Sequence, residues 1–321
     1  MFAPWLELPG TSELLSRLSD AAGTDLATHG TTSDAETIKD TAVAQPLLVA
    51  ASLVSFRALL ARRGSGDATA DPATGSAPLG DVTAGHSVGE LAAAAVAGVL
   101  DDEGAVGLVA HRARHMATAA AAAPSGMAAV LGGDPDEVLA AIEAAGLSPA
   151  NVNGGGQVVA AGSPEGISAL TENPPTRARV IPLQVAGAFH TDYMASAREA
   201  FTPVATAWPA QDPTMTLLSN ADGAAYATIG AATAPHGAAA DVLARLAAQV
   251  VAPVRWDLCQ ATMLELGVTG MIELAPGGVL TGLARRAMKG VETVAVKTPD
   301  DLDKALDLAS RHAGVPAGPT A

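Results

Sequence analysis

Gly85-His86-Ser87-Val88-Gly89 is the stretch that most restricts how this chain can fold. It is entered from the apolar Val82-Thr83-Ala84 and leaves into an Ala-rich run over 91–99, so the local pattern is strand, tight turn, helix. A G-x-S-x-G turn of this kind holds its serine in a strained corner. Both flanking glycines are expected to be required, because a side chain at either place would strike the neighbouring strand or helix. The serine hydroxyl then stands clear of the backbone at a helix N-terminus, where N–H groups and the helix dipole stabilise an oxyanion forming on a bound acyl group. The chemistry this predicts is nucleophilic acyl transfer through Ser87. A plain turn serine is the competing reading, since the chain carries 33 glycines and short Gly-rich matches arise by chance.

A chain of 321 residues, 49% of them hydrophobic, is long enough for one large α/β domain or for a core carrying an inserted lobe. Its net charge of −15, from 33 acidic against 18 basic residues, repels nucleic acid and anionic membrane and argues against both as partners. Cytoplasmic residence is the expectation. The single cysteine, Cys259, excludes an internal disulfide and a multi-cysteine metal site, and in Trp256-Asp257-Leu258-Cys259-Gln260 it reads as a packed helix residue. The N-terminal Met1-Phe2-Ala3-Pro4-Trp5-Leu6-Glu7 lacks the basic region and apolar core of a secretory signal. No window reaches the roughly 18 to 20 uninterrupted apolar residues of a membrane span.

Apolar residues at helical spacing predict a long helix over 41–62, followed at 65–79 by a surface loop rich in Gly, Ser, Ala, Asp and Pro. Asp101-Asp102-Glu103 reads as the dipole-favoured acidic start of a further helix rather than a metal site, because no histidine sits at a suitable spacing. Between 127 and 183 the rhythm changes. Strands at 127–131, 157–161 and 179–183 alternate with helices at 136–145 and 164–170, which suggests a small α+β lobe. Asn151-Val152-Asn153-Gly154-Gly155-Gly156 is expected to be a tight turn and not a phosphate loop, since no Lys-Ser/Thr follows it. Strands at 215–219, 269–274 and 291–296, with helices at 241–250, 254–266, 279–288 and 299–312, return to a large-domain pattern. That alternation predicts a mostly parallel sheet.

A base for Ser87 must come from His29, His86, His111, His115, His190, His236 or His312. His86 adjoins the serine and leaves the elbow in another direction, while His29, His236 and His312 stand in polar surroundings. His190 follows Val185-Ala186-Gly187-Ala188-Phe189 at the return from the small lobe, a place beside a cleft between lobes. The residues alone leave its role open between structural and catalytic.

Taken in order, several motifs resemble the malonyl-CoA:acyl carrier protein transacylase family over residues 5–309. They are Gly85-His86-Ser87-Val88-Gly89-Glu90, Arg112 in Leu108-Val109-Ala110-His111-Arg112, Ala188-Phe189-His190-Thr191, Gln249 before Pro253-Val254-Arg255-Trp256, and Glu273-Leu274-Ala275-Pro276-Gly277-Gly278-Val279-Leu280-Thr281-Gly282-Leu283. The resemblance implies an α/β-hydrolase-like large domain with a parallel sheet at 1–122 and 190–321, and an inserted ferredoxin-like α+β subdomain at 123–189. It implies Ser87 as nucleophile, His190 as general base and acid, the Val88 N–H as oxyanion donor, and the Gln249 backbone carbonyl orienting His190 where other hydrolases use a carboxylate. Arg112 is implied to bind the malonyl carboxylate. Malonyl-CoA and acyl carrier protein are the implied substrates, in fatty acid or polyketide synthesis, with no metal, no cofactor beyond the coenzyme A thioester, and a monomeric enzyme. Phe189 resembles the malonyl-selective form of related acyltransferases. Because carrier proteins are acidic, Arg62, Arg63, Arg285, Arg286 and Lys289 are candidate docking residues.

Members of that family begin with a strand and a Gly-Gln-Gly loop whose glutamine N–H supplies the second oxyanion donor, and this chain shows no matching segment. The expectation is a start assigned too far downstream, with weak activity or poor solubility. A serine esterase or thioesterase is the enzymatic alternative, although it would have no use for Arg112. A carrier-docking scaffold impaired by the missing loop is the other.

Overall fold

A computed structural model of the chain describes residues 1–64, 79–226 and 237–313. The loop expected at 65–79 falls almost wholly outside these residues, as does His236. The helix Thr41–Arg63 is capped by Asp40, whose carboxylate accepts the Ala42 N–H at 2.8 Å. It buries Leu47, Val49, Leu53, Val54 and Leu59, and packs on the helix Asp102–Ala122, which buries Val106, Leu108 and Val109. Both helices contribute to the largest apolar core. With 23 residues and a mean hydropathy of 1.7, Thr41–Arg63 has the length and composition of a membrane span. It is instead a core helix: 61% of its apolar stretch is buried inside the protein, and Arg57 grips Asp102 with bonds of 2.7 and 2.9 Å.

The acidic trio at 101–103 does what a helix start requires. Asp101 accepts the Gly104 N–H at 2.6 Å, satisfying one orphan donor of the first turn. Among the described residues no cluster of His, Cys, Asp and Glu could hold a metal ion.

Among the described residues nine strands form three sheets: β1 Val82–Thr83, β2 Gly126–Gly132, β3 Ser148–Gly154, β4 Gln157–Gly162, β5 Ala178–Pro182, β6 Thr216–Leu217, β7 Val254–Arg255, β8 Gly270–Glu273 and β9 Glu292–Ala295. The largest has the order β5-β2-β4-β3-β7 and is antiparallel except where β3 meets β7. Its alternating residues separate two faces. Ala128, Val130 and Ala160 pack under the helices Pro135–Ala144 and Pro164–Glu172, while Met127, Val159 and Ala161 pack against Ala188 and Phe189. The second face therefore supports the residues just before His190.

Outside 126–182 the strands pair in parallel, as expected, but among the described residues they form two-stranded sheets and not one broad sheet, and the antiparallel pairs all lie within 126–182. The fold is α/β, but among the described residues parallel pairing is confined to β1 with β6, β8 with β9, and β3 with β7. Strand–helix alternation does demand crossovers and hence parallel neighbours, yet it says nothing about how many pairs join into one sheet. The tight turn expected in the glycine-rich segment is present, but it is shorter than the six residues read for it. Ser148–Gly154 is a strand, and the turn is limited to Gly155 and Gly156, whose φ values of 56° and 77° suit a two-residue hairpin. Asn151 and Asn153 look like loop residues in the sequence, but both are buried here. Val254 and Arg255, expected in a helix, form β7, and the helix begins at Trp256.

Candidate active site

β1 feeds the elbow directly, and Ser87 sits at φ 52°, in the left-handed region that a β-carbon makes costly. The helix Gly89–Val96 starts two residues later. A β-carbon added at Gly85 would lie 2.0 Å from the Gly89 carbonyl oxygen, so no side chain fits there. At Gly89 the same addition meets nothing within 4 Å. Only the first glycine of the motif is sterically required, which corrects the expectation that both are.

The Ser87 Oγ donates to His190 Nε2 at 2.7 Å, and His190 Nδ1 donates to the Gln249 backbone carbonyl at 2.8 Å. A carbonyl only accepts, so the proton must reside on Nδ1, leaving the Nε2 lone pair for the serine. His190 itself is at φ 61° and buried. The Thr191 hydroxyl donates to Ala188 O at 2.7 Å and the Ala188 N–H donates to the Ser125 hydroxyl at 3.0 Å, fixing the base loop on both sides. Burial, and then the Arg112 charge, push the imidazole down to about 3. It is therefore a neutral proton acceptor at physiological pH. Among the described residues the Val88 N–H has no acceptor, so it is available to a developing oxyanion.

Arg112 does not face solvent. It is 1% exposed on the helix Asp102–Ala122, with one Nη donating to Gln249 Oε1 at 2.9 Å and the other to Gln45 Oε1. Its Nε has no partner among the described residues. Burial lowers the guanidinium to about 10, and the Glu90 carboxyl opposes that shift, so the group remains a cation at neutral pH. A buried cation with an unspent donor is a receptor for an anionic group.

Gln45, Asn220 and Tyr226 escaped the sequence reading, and Glu90 entered it only as the last residue of the elbow motif, with no role. Glu90 closes the elbow motif and is buried, accepting from the Tyr226 hydroxyl at 3.0 Å, from the Asn220 N–H at 3.2 Å and from the Gln249 carboxamide. The available signal was an acidic residue in the first turn of an otherwise apolar helix. The remaining histidines lie elsewhere. His86 is held by Asn153 at 2.7 Å and stands edge-on to Trp256, His29 meets Ser33, His111 lies against Trp208, and His312 meets Thr269 and Glu292. Cys259 is a buried helix residue whose thiol is pushed up to about 12 by burial, which leaves it unreactive.

Two predictions follow from this geometry. Gly85→Ala should lose the folded elbow, destabilising the protein by several kcal/mol in thermal melts, about the scale of a backbone clash or worse, whereas Gly89→Ala should melt within a few degrees of the parent. Equal melting of the two variants would contradict the steric assignment. Because the folded-state pKa of His190 is lowered, its neutral form should persist well below the ordinary histidine range. In isotope-edited NMR the His190 ring should remain neutral at pH 5.5 while exposed histidines titrate, and a midpoint near about 6.5 would contradict the burial argument.

The acyl transferase domain family matches residues 18–301. The malonyl CoA-acyl carrier protein transacylase of Mycolicibacterium smegmatis is 48% identical over 307 residues, covering 94% of this chain and 98% of that protein. The enzyme of the same name from Escherichia coli K12 is 30% identical over 306 residues, covering 94% and 92%. The crystal structure of MCAT from Mycobacterium tuberculosis superposes with a TM-score of 0.83 at 47% identity over 95% of this chain and 94% of that one. A type II polyketide acyl carrier protein in complex with its malonyl-transacylase gives 0.80 at 28% identity, over 96% and 94%. With a serine–histidine pair on a strained elbow and a buried arginine beside it, this chain belongs to the malonyl-CoA:acyl carrier protein transacylase family of acyltransferases.

Proposed function

We propose that the protein moves a malonyl group from malonyl-CoA to the phosphopantetheine thiol of an acyl carrier protein, through an ester on Ser87. The observation that carries this reading is the convergence on Gln249 of His190, through the backbone carbonyl, and of Arg112, through the side chain. A nucleophile with its base thus lies next to a buried cation suited to a carboxylated acyl group. An esterase on the same elbow would have no use for that cation.

In the first half-reaction Ser87 Oγ attacks the thioester carbon while His190 Nε2 takes the hydroxyl proton. The Val88 N–H supports the oxyanion. Collapse breaks the carbon–sulfur bond, and the imidazolium returns its proton to the departing coenzyme A thiolate. The carrier thiol then attacks the Ser87 ester, giving its proton to His190, which hands it back to Ser87 Oγ. The kinetics should be ping-pong. Coenzyme A enters and leaves as substrate and product, and the residues present call for no metal.

Arg112 adds a selectivity device to this scheme. Its charge is the second cause of the low basicity of His190. A malonyl carboxylate bound to the guanidinium would offset that charge, so the base strengthens when the acidic acyl group is in place. Phe189 packs on the small-lobe sheet beside His190, and its resemblance to the malonyl-selective form of related acyltransferases supports a preference of about 1–3 kcal/mol against methylmalonyl.

The same reading extends to architecture and partners. The β5-β2-β4-β3 order, with its two helices on one face, supports a ferredoxin-like insertion at 123–189 in a hydrolase-like large domain at 1–122 and 190–321. Acidic composition supports a cytoplasmic enzyme, which we take to be monomeric and without nucleic-acid or membrane partners. Of the proposed docking residues, Arg62 is withdrawn because Asp303 grips it with two bonds of 2.8 Å. Arg285, Arg286 and Lys289 are exposed at the end of the helix Val279–Ala287, with no carboxylate partner among the described residues. The Arg286 side chain adjoins Gly155 at the tip of the β3–β4 hairpin, whose Asn153 holds His86 next to the nucleophile.

Steady-state transfer to holo carrier protein tests this function. Ping-pong transfer that outpaces hydrolysis is expected, and the Arg285→Glu/Arg286→Glu/Lys289→Glu variant should raise KM for carrier protein without changing KM for malonyl-CoA. Hydrolysis as the dominant outcome would favour the esterase reading. Arg112→Ala should lower malonyl transfer by about 10²-fold or more, the scale of a lost charged hydrogen-bonded contact, while raising relative use of acetyl-CoA. Unchanged selectivity between the two thioesters would reject the role given to Arg112.

A further inference from the structure

Nothing in the two-step chemistry above explains what holds Ser87 in the left-handed region, or why the carboxyl group of Glu90 is buried in the first turn of the helix that follows it. A residue held there costs about 1–3 kcal/mol and persists only where its surroundings over-determine it. The surroundings here centre on Asn220, which is fully buried in the turn that follows β6. Its Oδ1 accepts the Ser87 N–H at 2.7 Å and its Nδ2 donates to the Gly85 carbonyl at 2.8 Å. One carboxamide therefore spans the elbow from side to side.

Asn220 is itself pinned along its backbone. Its N–H donates to Glu90 Oε1 at 3.2 Å, and its carbonyl accepts the Arg255 N–H at 2.8 Å. The other Glu90 oxygen accepts from Gln249 Nε2, which also donates to the Ser87 carbonyl at 3.1 Å. The Gln249 backbone carbonyl is the one that orients His190. Glu90 is thus bonded on one side to the residue that holds the nucleophile and on the other to the residue that holds the base.

We propose that Asn220 is a positioning residue that clamps the Ser87 elbow, and that Glu90 couples this clamp to the Gln249 support of His190, so that the two halves of the dyad are set by one buried carboxyl group. The clamp requires an amide, because one end must accept a proton and the other must donate one. Aspartate keeps the shape but turns an acceptor toward the Gly85 carbonyl. Glutamine at position 90 turns a donor toward groups that are already donors. The titratable and charged groups facing Glu90 are Tyr226, Arg112 and Cys259, and burial raises the carboxyl to about 7 against the bonds from Tyr226, Asn220 and Gln249. Its ionisation is therefore poised where small changes in pH alter the coupling.

This inference takes from the proposed function only that Ser87 is a nucleophile, and its test does not require the malonyl substrate. The probe is a small fluorophosphonate, which reports the reactivity of Ser87 without using Arg112, with malonyl-CoA acylation measured alongside in rapid-quench experiments. Asn220→Asp and Glu90→Gln should each lower the phosphonylation and acylation rates about 10²-fold, the effect of an ångström-scale misplacement. The malonyl-CoA dissociation constant should stay within a few-fold and circular dichroism should remain native. The parent should show a step in phosphonylation rate near pH 7 that Glu90→Gln abolishes. A folded variant that is phosphonylated at the parental rate would overturn the proposal, as would an unchanged pH step in Glu90→Gln. If neither variant folds, the two residues serve stability alone and the proposal fails on that ground. Phosphonylation of the parent without malonyl-CoA acylation would instead reject the substrate reading and leave the clamp standing.

Discussion

The site depends on one residue used through two chemistries. Gln249 presents its backbone carbonyl to His190 Nδ1 and its carboxamide to Arg112, to Glu90 and to the Ser87 carbonyl. The short 3-10 turn Gln249–Val251 fixes that carbonyl after the helix Ala239–Ala248. A neutral carbonyl orients the imidazole and sets its tautomer without adding negative charge beside it. A carboxylate in that place would strengthen the base, but it would also pair with the buried guanidinium that we propose receives the substrate carboxylate.

That trade explains the electrostatics of the pocket. Arg112 and Glu90 share one buried environment, yet Gln249 stands between them and bonds to both. The guanidinium is partly compensated and remains a cation, and one of its donors is left unspent. A fully paired ion pair would leave nothing for a substrate carboxylate, while an isolated buried arginine would carry the full desolvation penalty. The intermediate arrangement keeps binding capacity inside the core. The low basicity of His190 fits the same logic, since an imidazolium that forms beside a cation gives its proton up readily to the leaving thiolate.

Much of this was legible in the chain itself. Gly85 to Gly89 announced the elbow because a strained turn demands particular residues at fixed offsets, and the helices at 41–63 and 102–122 announced themselves, the first through apolar periodicity and the second through its acidic start. Arg112 and Gln249 were not legible from the residues alone. A buried arginine has the same local sequence context as an exposed one, and a backbone carbonyl leaves no trace in residue type; only the family resemblance pointed to them. Strand–helix alternation reported the parallel pairing of β1 with β6 and of β8 with β9 but not how the strands gather into sheets, which is a long-range outcome. Gly89 shows the limit of motif reading, because the motif demands a glycine at a place where this backbone has room for a side chain. Asn220 and Glu90 act through contacts 130 or more residues away in sequence, which no local pattern encodes.

Intact-mass spectrometry of the protein after brief exposure to malonyl-CoA tests the central claim most directly. The account predicts one malonyl adduct per chain, located on Ser87, absent from Ser87→Ala and discharged by holo carrier protein faster than by water. No adduct on a folded protein, or one that persists in Ser87→Ala, would contradict it.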